Sequence, residues 1–159
     1  MHAADILIYG QRTFLQSTDS IPASSQDLPG ACGTWSVKDI IAHLASFEQV
    51  LVDILAGFVN ASSGTALQTF IDTGNQFNDS EVSKRKDQSY QLVLTELSES
   101  HAKSLSLLAL IPPELCRQTG TLPWYGASYS LDDVIVYMYY GHKREHSAQI
   151  DLFLTNLRA

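Results

Sequence analysis

The chain predicts an all-α fold, a four-helix bundle, from three observations. Apolar residues recur at spacings of three and four along four segments; no stretch alternates with the period of a strand; and start and stop residues bracket the segments. At 159 residues with 45% hydrophobic content, the chain fits a single domain spanning 1–159, large enough to hold a core without staples.

The first helix is expected from residue 2 to about 18, with Leu7, Ile8, Phe14 and Leu15 as its apolar positions. Residues 18–33 are dense in Ser, Pro, Gly and Asp and read as a loop. Ser36 opens the second helix as N-cap, Asp39 favours its positive end, and Ile40, Leu44, Phe47, Leu51, Ile54, Leu55 and Phe58 form its core face. His43 lies on the flank of that face. Residues 60–80 are too many for a link between antiparallel neighbours, so they predict a crossover along the bundle, with a short helix of its own. Asn75 and Asn78 in this crossover read as helix caps. A third helix is expected from about 80 to 111, with Tyr90, Val93, Leu94, Leu97, Leu105 and Leu108 on one face, His101 among them, and Pro112-Pro113 at its end. Ser130 caps the fourth helix, with Asp132 and Asp133 in the first turn.

On this last helix Ile135, Met138, His142, His146, Gln149 and Phe153 follow helical spacing, which puts two histidines where a bundle wants carbon. A buried imidazole must satisfy both nitrogens, and a divalent ion shared by two rings one turn apart does so. The alternative is a pair of packed histidines bonded to hydroxyls such as those of Tyr137 or Tyr140. A metal needs a third ligand from another helix, and the inward-tilting His43 is the best placed by sequence. Three neutral ligands would leave a zinc- or nickel-like ion doubly positive and Lewis acidic. Gln149, a turn beyond His146, is a candidate to orient a water there; Glu145 points away from the ligand face and is a candidate base or an outer group. His101 reads as a further ligand, a substrate contact, or a buried histidine satisfied by a neighbour. Trp35, Trp124, Tyr125 and Tyr129 sit near helix ends as packing residues or the lining of a pocket mouth.

The net charge of -7 argues against nucleic-acid and anionic-membrane partners, which need clustered cations. The one basic run, Lys84-Arg85-Lys86, reads as a solvated helix approach. The opening Met1-His2-Ala3-Ala4-Asp5-Ile6 has no signal-peptide pattern, and no apolar run reaches the ~18 residues of a membrane span, so a cytoplasmic protein is expected. Cys32 and Cys116 lack C-x-x-C spacing and are expected as reduced thiols.

Thr34-Trp35-Ser36-Val37-Lys38-Asp39-Ile40-Ile41-Ala42-His43-Leu44 and Tyr139-Tyr140-Gly141-His142-Lys143-Arg144-Glu145-His146-Ser147-Ala148-Gln149-Ile150 resemble the two signature regions of the DinB/YfiT-like superfamily. The resemblance extends over almost the whole chain. It implies up-down-down-up topology with a long crossover between helices 2 and 3, and a divalent metal held by His43, His142 and His146. Members with known activities are bacillithiol or glutathione S-transferases and mycothiol-dependent maleylpyruvate isomerases, so the resemblance also implies a low-molecular-weight thiol as co-substrate. A metal-bound thiol is deprotonated near neutral pH, which accounts for the shared chemistry.

The expected function is a metal-dependent transferase or hydrolase that activates a thiol or water against a small-molecule substrate. The competing expectation is a non-catalytic, stress-associated metal-binding protein. The long first helix and the crossover suggest a homodimer.

Overall fold

The computed structural model describes residues 2–159; Met1, at the head of the N-terminal segment, lies outside them. Among the described residues there is no strand, only an isolated bridge between Cys32 and Trp35. The helices are α1 (Ala3–Asp19), α2 (Val37–Phe58), α3 (Ala66–Thr73), α4 (Phe77–Lys84), α5 (Tyr90–Leu108), α6 (Pro113–Arg117), α7 (Leu131–Val134) and α8 (His142–Leu157). A π-helical segment, Ile135–Gly141, joins α7 to α8 without a break, so these three form the fourth bundle helix.

Local sequence explains the two best-defined starts. Ser36 accepts a hydrogen bond from the Asp39 backbone N–H while the Asp39 carboxylate accepts from the Ser36 N–H, and Ser130 and Asp133 repeat that reciprocal box. The third bundle helix differs from expectation. It begins at Tyr90, with Ser89 accepting from Leu92 N–H, and α4 is separated from it by residues 85–89. Arg85 is the reason: instead of facing solvent it is buried, bonding Glu81 at 2.8 Å and Glu96 at 2.7 Å. That ion network ties the crossover to α5. Asp53 ties the start of the crossover to α2 by accepting from Gly64 N–H at 2.6 Å and Leu67 N–H at 3.1 Å.

The core is two apolar clusters. One joins Leu7, Leu51, Leu55, Leu108, Leu131 and Ile135; the other joins Phe14, Ile40, Ile41, Val93, Leu97 and Ile150. Each fully buried side chain of this size contributes about 1.5–3 kcal/mol. The order in which each helix meets the clusters gives the topology. α2 and α5 pass from the second cluster to the first, whereas α1 and the fourth bundle helix (α7, the π segment and α8) pass from the first to the second, which is up-down-down-up. Parallel α2 and α5 are what the long crossover permits.

Between the clusters every bundle helix turns polar: Gln11 on α1, His43 and Glu48 on α2, His101 and Ser104 on α5, Lys143 and His146 on α8, all buried. α2 is long and apolar enough to cross a membrane by length and composition, contrary to the sequence expectation, yet it is the buried central helix of this bundle. The two cysteines are free thiols.

Candidate metal centre

Two helices supply the site. α2 directs His43 inward one turn before Phe47, and α8 begins with His142 and carries His146 one turn on. His43 Nε2 lies 2.8 Å from His142 Nε2, and His146 Nε2 lies 3.0 Å from the same atom. The ligand atoms of all three lie within 4.8 Å of one another. His43 and His146 are buried, while His142 is only partly so. Trp35 covers the outer side of His43 with ring centroids 5.0 Å apart, and Phe47 packs at 4.8 Å from His43 and 4.7 Å from His142.

A hydrogen bond behind His146 sets its tautomer. His146 Nδ1 is 2.8 Å from Gln149 Oε1, an acceptor, so Nδ1 carries the proton and Nε2 presents a lone pair. The Met138 backbone, one turn back, favours a proton on the His142 ring. His146 Nε2 presents its lone pair to His142 Nε2 at 3.0 Å and His43 Nε2 approaches the same atom at 2.8 Å, a convergence of imidazole nitrogens that one divalent ion would satisfy together. The residues present therefore fit a divalent ion.

Burial and mutual repulsion keep the rings neutral. Burial first, then His142 and His146, bring the His43 pKa down to about 2. Burial and the neighbouring His146 lower His142 to about 4, against the influence of the Met138 backbone. Burial also lowers His146, opposed by Gln149 and by the charge of Glu145. Neutral imidazole is the form that ligates.

Gln149 thus touches His146, and Glu145 is exposed on the outer face of α8. Tyr137, one of the alternative hydroxyl partners, is 63% exposed. Of the aromatic residues near helix ends, Trp35 belongs to the histidines, whereas Trp124, Tyr125 and Tyr129 form a separate row of edge-on rings.

His101 lies apart from the triad, in a second polar cluster that sequence reasoning missed. Glu48 is fully buried; its carboxylate meets the Lys143 ammonium, lies 3.5 Å from His101 Nδ1 and accepts from Ser104 at 3.3 Å. Burial alone would raise the Glu48 carboxyl, but Lys143 and His101 outweigh it and bring the pKa down to about 2. Glu48 was open to inference, since it follows Leu44 by one turn on the core face. Lys143 was not, because the π segment decides which way it points. That segment has one more residue in its turn than an α-helix, and so brings Tyr139 and Lys143 into the core instead of Met138. Gly141 accommodates it: a Cβ there would meet the Val136 carbonyl oxygen at 3.3 Å.

The DinB superfamily family model matches residues 7–150, and the chain belongs to that superfamily. Comparisons with curated proteins and with solved structures return no significant match.

Proposed function

We propose that this protein is a divalent-metal-dependent enzyme of transferase or hydrolase type, with His43, His142 and His146 as the metal ligands. The observation that carries the reading is the convergence of three imidazole nitrogens from two helices, the Nε2 atoms of His43 and His146 lying 2.8 and 3.0 Å from that of His142. A zinc or nickel ion held by three neutral imidazoles supplies Lewis acidity that lowers the pKa of a coordinated thiol or water. Partial exposure of His142 supports an open site, as a catalytic centre requires. Trp35 and Phe47 exclude water from the flanks of the rings. Gln149 holds the His146 tautomer, and Glu145, exposed beside the ligands, is the base available to a molecule arriving from solvent. A low-molecular-weight thiol is the proposed co-substrate, on the strength of superfamily membership. The reading includes a homodimer, supported by the exposed Ile8 and Tyr9 of α1 and the exposed Tyr137 of the π segment packed against that helix.

His142→Ala tests it. Elemental analysis of the purified protein is expected to find close to one divalent ion per chain, and the variant to have lost it with far-ultraviolet circular dichroism unchanged. Metal retained by the variant removes the site.

A further inference from the structure

Beside the triad, across the ring of Phe47, lies a cavity of about 360 Å³ that none of the three histidines lines. Its walls are Phe47 from α2, Phe70 from α3 and Trp124 from the loop before α7, and its rim carries Asn75 and Asn78 from the crossover. The size lies within the range of small-molecule sites. Ring contacts run from the ligands into the cavity wall: His142 to Phe47 at 4.7 Å, Phe47 to Phe70 at 5.6 Å, Phe70 to Trp124 at 6.0 Å. One aromatic ring therefore separates the cavity from the candidate metal.

The lining dictates what fits. Among the described residues no acidic or basic side chain borders the cavity, so an ion inside would lose hydration with no counter-charge, and the net charge of -7 further disfavours an anion. Aromatic walls favour a flat partner that offers faces and edges to them. The two asparagines are not the caps expected of them: neither α3, nor the turn 74–76, nor α4 has a side-chain cap. Gly74, at φ 52°, makes the sharp turn that brings Asn75 to the rim. Each amide presents a donor and an acceptor.

Resting on the metal-enzyme reading, we infer that the cavity formed by Phe47, Phe70, Trp124, Asn75 and Asn78 takes the substrate, and that the substrate is a neutral, flat, conjugated molecule bearing a carbonyl or hydroxyl group.

Trp124, half-buried in the wall, reports occupancy directly. Its fluorescence would be titrated in the full-length protein with two nitroaromatic quenchers of equal size, neutral 4-nitroacetophenone and anionic 4-nitrobenzoate. Saturable quenching by the neutral compound is expected, at least tenfold tighter than by the anion, and lost in Trp124→Phe, where Trp35 alone remains. Asn78→Leu is expected to weaken it about tenfold by removing the amide. Equal or tighter binding of the anion, non-saturable quenching, or saturable quenching that survives Trp124→Phe overturns the inference; an unchanged Asn78→Leu overturns the recognition of a polar group. His142→Ala is expected to bind the neutral probe as before. Probe binding in a protein that holds no metal refutes the enzymatic reading alone, and metal without probe binding refutes this inference alone.

Discussion

The polar layer between the two apolar clusters contains two groups built on the same pair of helices and opposite in character. His43 and His142 start one of them, and Glu48 and Lys143, five and one residues further along those helices, start the other. In the Glu48 group, a negative and a positive charge cancel, and Ser104 and His101 attend the carboxylate. In the histidine group, three neutral rings converge with no anion, their Nε2 atoms turned toward one another. The comparison shows how a buried polar cluster reveals its use. A group whose charges cancel among its own members holds the fold, and a group of convergent neutral imidazoles is suited to a cation.

The largest expected effect breaks the first group alone. Lys143→Met leaves the Glu48 carboxylate buried without its counter-charge, and denaturant titration is expected to show a loss of about 3–5 kcal/mol. Metal content per folded chain should stay as in the wild type, because the triad is intact. A loss of metal comparable to that in His142→Ala would show that the groups act as one.

Gln149→Leu strikes the second group from behind. Without the Oε1 acceptor, His146 is free to change tautomer and orientation, and competitive chelator titration is expected to show metal affinity lower by about 10–100-fold. Thermal stability of the metal-free protein should change little.

A pH dependence separates the groups. In metal-free protein the histidines resist protonation when folded but accept protons near pH 6.5 when unfolded, so stability is expected to fall as pH drops from 6.5 toward about 4, the folded value of His142. Glu48 has its folded pKa lowered from 4.5 to about 2, so its contribution is complete above pH 4.5 and is lost only as pH falls from there toward 2. Unfolding free energies between pH 7 and pH 5 thus report the triad and not the ion pair. A flat profile over that interval would contradict the neutral triad.

Sequence made the bundle legible because its evidence is local. The Ser36 and Ser130 starts, the apolar spacing and the long crossover each follow from a few adjacent residues. The three histidines were legible for a similar reason, as imidazoles on core-facing positions of helices. What escaped depends on tertiary context. Arg85 sits in a basic run that reads as solvated, and only the convergence of Glu81 and Glu96 gives it a buried place. The asparagines of the crossover have composition suited to capping, and their position over a cavity depends on where α3 and α4 come to rest. The π turn left no periodic signal, since six residues of Ile, Val, Tyr and Met before Gly141 suit either helical pitch.

That wide turn makes the chain length between Ile135 and Gly141 a functional quantity. Each helical residue advances the azimuth by about 100°, so excising a single amino acid there, or restoring ordinary pitch, would swing every downstream side chain by roughly a quarter circle relative to α2. Lysine and both imidazoles would leave their partners together, while composition and helix content hardly changed. The spacing inside this one loosened coil is what keeps the two ends of the sequence in phase.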